Sequence, residues 1–297
     1  MAEVAIPYTL ETPAGDIEFV LDGDGLRLYD IAGMDGAAVR SAVENIPQGD
    51  GAILFEFFRG ARFPVLSGII KYTSSGVPAT DYVNRRVAED ELRARTNSIL
   101  NAYGTLRFTP HGASERQLQV RLLDTLQIRS QEGILKEFQI ALIADDPLVY
   151  GATEHSQDTA AITEGEGGWS FPTGFPFSFG EATTGGSATV TNAGTAETFP
   201  IIRIYGPAAS PTVRNVTTGY SLSFFDLTLA EGDYVEVDCR EQTVLFNGSE
   251  LVSLQGNLDP VTSEFFTLVT GDNVIQLLGG TVGSAAHATI VWRDAYI

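Results

Sequence analysis

The sequence is short of the side chains that metal and thiol chemistry draw on. Among its 297 residues are one cysteine, Cys239, and three histidines, His111, His155 and His287. A single thiol excludes an intramolecular disulfide and a cysteine-built metal cluster. Lysine is nearly absent, with Lys71 and Lys136 alone beside sixteen arginines. The 18 basic residues face 38 acidic ones, for a formal net charge of −20. So acidic a chain does not neutralise nucleic-acid phosphates or adhere to an anionic membrane. The longest apolar runs, such as residues 140–144, fall far short of the ~18 residues a membrane span needs, so no membrane insertion is expected. The first seven residues have neither a basic nor an apolar segment, so no signal peptide is expected. These absences leave a soluble protein of a reducing or redox-indifferent compartment.

What the sequence holds is enough to build a core. Hydrophobic residues make up 43 %, including 17 Phe, and 31 Gly with 13 Pro supply turns. At ~150 residues per domain the length suits about two. Residues 1–150 carry 14 basic and 21 acidic side chains, whereas residues 151–297 carry four and 17. Composition shifts at the same place, into a polar stretch rich in Gly, Thr and Glu. The expected organisation is a first domain over 1–150, a linker or arm over 151–186 and a second domain over 187–297.

The fold class is expected to be mainly β, with one helix. In the first half Ile17, Phe19 and Leu21 alternate with polar neighbours, and Asp22-Gly23-Asp24-Gly25 then supplies a turn. Residues 51–58 and 62–72 are apolar, and residues 117–123 and 138–142 alternate with the two-residue period of half-buried strands. Residues 87–101 differ: charges are dense, and Val87, Leu92, Ile99 and Leu100 fall roughly on one face. A helix is expected there, stopped by Asn101-Ala102-Tyr103-Gly104. In the second half, strand-like runs are read at 187–192, 199–205, 220–229, 233–238, 242–246, 265–269, 273–278 and 287–293. Turn signals such as Asn247-Gly248 and Gly271-Asp272-Asn273 separate them. That spacing suits a β-sandwich or jelly roll.

Catalytic signatures are lacking. There is no phosphate-binding lysine loop, no nucleophile elbow and no His-Glu-x-x-His. Gly165-Glu166-Gly167-Gly168 lacks the third glycine of a dinucleotide site and reads as linker. Asp22-Gly23-Asp24-Gly25 lacks the third acid of a calcium loop, because Leu26 stands in its place, and reads as a turn. Cys239 lies in an alternating strand and reads as packing, His111 sits at a loop tip, and no carboxylate pair stands out. The expectation is no catalytic residue, no cofactor and no metal.

Aromatic residues make one unusual cluster, with Trp169, Phe171, Phe175, Phe177 and Phe179 set among prolines. It is either an arm lying on another surface or an edge segment covering its own domain.

The order of segments resembles the distal tail protein family of long-tailed, non-contractile bacteriophages. In the first half the likeness rests on residues 30–36 and 47–52, a strand pair through Gly68-Ile69-Ile70, the charged helix, and the close at Ala144-Asp145-Asp146-Pro147-Leu148-Val149-Tyr150. In the second it rests on Asn192-Ala193-Gly194-Thr195, residues 199–207, Asn215-Val216-Thr217-Thr218-Gly219, Gly271-Asp272-Asn273 and the closing residues 290–296. The resemblance implies a split-barrel-like first domain with one helix and a galectin-like or jelly-roll second domain. It implies a structural virion protein, not an enzyme, that forms a ring of six copies at the distal end of the tail. That ring would join the tube protein to the tip or hub protein and to receptor-binding proteins, and DNA would pass through it unbound. Assembly would take place in the bacterial cytoplasm. Arg85, Arg86, Arg93 and Arg95 would then pair with acids of a neighbouring subunit, or simply solvate the helix. The competing reading is a carbohydrate-binding module over 187–293, with Trp169 and Trp292 as stacking platforms.

Overall fold

A computed structural model describes residues 7–21, 23–46, 48, 50–73, 76–130, 136–160, 186–279, 281–282 and 285–297. The chain separates into two units, residues 1–152 with 297, and residues 153–296.

In the first unit the strands are β1 (Tyr8–Glu11), β2 (Ile17–Phe19), β3 (Gly25–Ala32), β4 (Val39–Arg40), β5 (Val43–Asn45), β6 (Ala52–Leu54), β7 (Phe58–Arg59) and β8 (Val65–Lys71). Helix α1 (Pro78–Ser98) follows, then β9 (Gly104–Phe108), β10 (Arg116–Leu122), β11 (Gln127–Ser130), β12 (Lys136–Ile143) and β13 (Val149–Gly151). The main sheet runs β2-β1-β9-β10-β12-β8-β3. Its first and last strands are consecutive in sequence, and the Val20 amide donates to the Leu26 carbonyl at 2.8 Å. The sheet therefore curls back toward itself. The alternating residues Leu118, Val120, Phe138, Ile140 and Leu142 all point inward and are buried, as a half-buried strand requires.

Helix α1 is the one α-helix among the described residues, and it starts nine residues before the expected 87. The reason is Pro78 in its first turn, where a missing amide costs nothing and the fixed φ favours the helix. It ends at Ser98, before the expected stop. Leu92 and Ile99 are buried as expected, but Val87 and Leu100 are about half exposed. In their place the inner face holds Asp81, Glu89 and Thr96. Glu89 is satisfied there by Arg93 at 2.8 Å and by Lys136 of β12. Burial alone would raise its pKa, but those two hydrogen bonds and charges hold it below the ordinary carboxylate value.

The second unit comprises β14 (His155–Asp158), β15 (Ser187–Asn192), β16 (Ile201–Tyr205), β17 (Ala208–Ala209), β18 (Thr212–Asn215), β19 (Ser221–Ser223) and β20 (Thr228–Leu229). It continues with β21 (Tyr234–Asp238), β22 (Thr243–Phe246), β23 (Ser249–Ser253), β24 (Gly271–Leu278), β25 (Thr281–Val282) and β26 (His287–Trp292). One sheet runs β14-β26-β16-β21-β22-β23 and another β15-β24-β18-β19, with a small third sheet β20-β17-β25. Val190, Ile202, Ile204, Val213, Val237, Ile275, Leu277 and Ile290 close a single core. This is the expected β-sandwich. Cys239 belongs to that core, and burial pushes its thiol up to about 12, which leaves it unreactive.

Three readings need correction here. Residues 155–158, expected in the linker, form β14 and pair with β26. Residues 265–269 contain no named strand, only a bridge from Leu268 to Thr198. Gly271, Asp272 and Asn273, expected as a turn, open β24. Asn247-Gly248 does turn, with both residues at positive φ, and the strand it feeds, β23, was not read.

Three buried asparagines tie the loops of this unit. Asn192 donates to the carbonyls of Ala196 and Leu268, and Asn273 donates to those of Val269 and Gly271. The Asn215 side-chain oxygen accepts from the amides of Thr217 and Thr218. Gly194 is required because a Cβ there would stand 1.9 Å from the Ala295 carbonyl oxygen. The loop motifs quoted above are thus buried polar brackets.

Candidate assembly surface

Residues 34–63 leave the first unit's sheet as an arm. Its strands pair with one another, β4 with β7 and β5 with β6, and with no strand of the main sheet. The registers are Val39↔Arg59, Arg40↔Phe58, Val43↔Leu54, Glu44↔Ile53 and Asn45↔Ala52. Every residue of these four strands is exposed. Yet the arm is apolar: Val39, Leu54 and Phe57 are 67 %, 63 % and 60 % exposed, and Val43, Ile53, Phe55, Phe58 and Phe63 are nearly as open. A shallow groove on it is lined by Arg40, Ser41, Ala42, Phe55, Glu56 and Phe58. Two-stranded ladders without a covered face are marginal in water, and an apolar patch on this scale marks an interaction surface.

The root of the arm is built firmly. Arg62 is 2 % exposed and donates from Nε to the Pro147 carbonyl at 2.5 Å and from Nη1 to the Met34 carbonyl at 2.7 Å. Its backbone exchanges two 2.9 Å bonds with Ala144. Burial, aided by the Arg59 charge and partly offset by Asp146, lowers the guanidinium pKa from its ordinary value. At the other side Gly33 takes φ +78°, and a Cβ there would stand 2.1 Å from the Phe63 carbonyl oxygen. The Gly60 amide closes on the Ala38 carbonyl at 2.6 Å. One arginine therefore fastens both ends of the arm to the segment 144–147 that ends the main sheet. The 144–150 motif marked this place in the sequence; the burial of Arg62 left no signal beyond a charge before an apolar run.

The helix arginines are mostly engaged within α1. Arg93 bonds Glu89, Arg95 bonds Glu91 at 3.1 Å and the Asp16 carbonyl at 2.7 Å, and Arg86 lies 3.6 Å from Asp90. Arg85 also has a partner in the structure. Only the Arg86 pair is exposed on both sides, at 60 % and 62 %, so it is weakly held. Beside it Tyr82, Val83 and Val87 form an exposed apolar stripe on the outer face of α1.

The aromatic cluster Trp169, Phe171, Phe175, Phe177 and Phe179 lies outside the described residues. Trp292, expected as a glycan platform, is instead 8 % exposed, and its indole nitrogen donates to the Thr191 carbonyl at 3.2 Å. Its ring stacks on His155. A face so covered offers no sugar a stacking surface. Among the described residues no three His, Cys, Asp or Glu side chains stand where they would hold a metal ion.

Residues 193–296 match the family model of the siphovirus-type tail component, C-terminal domain. No curated protein matches the chain. Among solved structures, the Dit protein of phage SPP1 is described as a paradigm of the hub adsorption apparatus in phages that infect Gram-positive bacteria. It shares 16 % identity and a TM-score of 0.65 over 98 % of this chain and 99 % of its own. A chain of the phage P2 baseplate in its activated, calcium-bound conformation aligns over 97 % of this chain and 98 % of its own, at 12 % identity and a TM-score of 0.46. The likeness thus stands at two levels: residues 193–296 match the model of the siphovirus-type tail component, C-terminal domain, and over 98 % of the chain the fold is similar to that of SPP1 Dit.

Proposed function

We propose that this chain is a non-enzymatic structural component of a phage tail's distal end. Six copies close a ring through the first unit, around a channel that DNA crosses without being bound. The second unit holds neighbouring tip or receptor-binding proteins. The tube protein lies on one side of the ring and the hub protein on the other, and assembly takes place in the bacterial cytoplasm.

One observation carries this reading: a tail component domain at residues 193–296 sits within a fold shared along its whole length with SPP1 Dit. The physical chemistry supports it. The arm is an apolar surface that one copy leaves uncovered, and a ring of copies covers such surfaces without leaving a free end. The charge of −20 repels a duplex rather than gripping it.

The test is direct. Labelled chain should be located at the distal end of purified tails by electron microscopy, and native mass spectrometry of the released complex should give six copies. A location elsewhere in the particle, or a single copy per tail, would overturn the proposal.

A further inference from the structure

The outer face of the first unit's main sheet holds a polar hollow that the tail reading does not use. On β12, Phe138 and Ile140 point into the core, so Glu137 and Gln139 point out. Register lays two rows across the neighbouring strands. Ser67 of β8, Gln139 of β12 and Gln127 of β11 form one, and Glu137 of β12 with Arg129 of β11 begins the next. Together with Tyr29 of β3 they line a hollow of about 110 Å³.

Tyr29 reaches this face because β3 carries one residue too many. Leu28 stands opposite Gly68 and Asp30 opposite Ser67, so Tyr29 has no partner on β8 and forms a β-bulge. Bulges re-aim side chains and recur beside functional sites. Tyr29 is 57 % exposed, against 8 % for Trp292, so it offers the open aromatic surface that Trp292 does not. Among the described residues the side chains of Tyr29, Ser67 and Gln139 make no hydrogen bond, and Gln127 accepts only a long one, 3.4 Å, from Arg129.

The lining selects its ligand by chemistry. Arg129 and Glu137 stand opposite each other in register, so an anion would meet Glu137 and a cation Arg129, and neither sign is favoured. The two carboxamides and the two hydroxyls each donate and accept, which suits a ligand whose own polar groups do both. The Tyr29 ring supplies an apolar wall with a polar tip. A neutral ring that carries hydroxyls at its rim and C–H bonds on its face uses all of these groups. Size agrees: a cavity of ~150 Å³ encloses a whole six-membered ring, so a smaller hollow at the surface takes one ring part of the way in.

We propose that this hollow is a subsite for one neutral pyranose ring. The C–H face of the sugar lies on the Tyr29 ring, and its hydroxyls are shared among Ser67, Gln139, Gln127, Arg129 and Glu137. The subsite is independent of the tail reading, since it is complete within one copy of the chain. A ligand this small on an open site binds weakly, with a Kd on the order of 1 mM.

Saturation-transfer NMR on the full-length chain reads affinities in that range. The probes are the methyl glycosides of glucose, galactose and N-acetylglucosamine at about 10 mM, above the expected Kd, with glycerol as a polyol that has no ring. At least one pyranose should take up saturation, most strongly at its C–H face protons, and glycerol should take up little. The free sugars are run alongside. Transfer to both forms assigns the subsite to a ring carried on a glycan, and transfer to the free sugars alone assigns it to a free monosaccharide. Tyr29→Ala should weaken binding about tenfold, whereas Tyr29→Phe keeps the ring and should stay within about threefold of wild type. Should Tyr29→Ala fail to fold, Gln139→Ala decides, with an expected loss of about three- to tenfold. No transfer to any pyranose, glycerol matching the pyranoses, or undiminished transfer in folded Tyr29→Ala or Gln139→Ala would each overturn the proposal.

Discussion

The second unit and the arm of the first are both made of short β-strands with apolar side chains, and they treat those side chains oppositely. In β16, β24 and β26 the residues Ile202, Ile204, Ile275, Leu277, Ala288 and Ile290 are wholly buried. In β4 to β7 every residue is exposed, phenylalanine included. The three sandwich strands are paired on both edges and the arm strands on one edge each, but that difference does not by itself expose a side chain. What separates them is the second layer: the sandwich brings its own opposing sheet, and the arm brings none. A segment that satisfies its backbone and leaves its side chains in water is half of a structure, and the other half comes from another molecule.

The comparison can be broken most sharply in the sandwich. Ile290→Ala removes three carbons from a fully buried site and should cost about 3 kcal/mol, read as a fall in the urea midpoint of the isolated full-length chain. A loss below ~1 kcal/mol would mean that the core between the sheets is loosely packed.

The arm's root should behave like the sandwich, although the arm does not. Arg62→Met keeps the volume but leaves the Pro147 and Met34 carbonyls without their donors, for about 2–3 kcal/mol. Limited proteolysis should then cut within residues 34–63 faster than in wild type. Unchanged cleavage would mean that the arm is held by something other than Arg62.

Helix α1 lies between these extremes, with charge buried on its inner face. Glu89 has a lowered pKa in the folded chain, so its contribution to stability is full above the unfolded value, about 4.5, and is lost as pH falls through the folded one. Glu89→Gln should therefore cost about 1.5 kcal/mol at pH 7. The gap between variant and wild type should narrow as pH falls from the unfolded value through the lowered folded one. A gap that does not narrow on acidification would mean that packing, not the charge network with Lys136 and Arg93, is what Glu89 supplies.

Much of this architecture was legible in the residues, and the failures share a cause. The strands at 117–123, 138–142, 187–192 and 233–238 showed themselves because one face is buried and the period of two is therefore imprinted on side-chain polarity. The helix boundary is hidden because Pro78 marks the start while the dense charge that signals a helix begins only near residue 87. The inward carboxylates Asp81 and Glu89 were unreadable, since a buried acid looks like a surface acid until Lys136 is seen beside it. The arm was lost for the opposite reason. Its Ala52, Ile53, Leu54 and Phe55 read only as part of an apolar run, because nothing local tells an apolar residue whether its cover comes from the same chain. The helix arginines were legible as ion-pairing residues, but three of the four are shown bonded within α1 itself, and which one faces outward depends on the helix's rotation over the sheet.

The smallest expected effect is the most informative. Phe57 is 60 % exposed, so in a single copy Phe57→Ser removes apolar surface that water already touches, and the stability of the chain should change by no more than about 0.5 kcal/mol. The same substitution at a buried phenylalanine such as Phe138, which is 2 % exposed, would cost several times more. Multimer formation should follow the reverse order, failing in Phe57→Ser at protein concentrations where wild type assembles. Thermal melts and light scattering on one preparation separate the two quantities. A fall in melting temperature in the single-copy state would show that the arm folds back on its own unit in solution, and the contrast between an enclosed sandwich and an open arm would then be false.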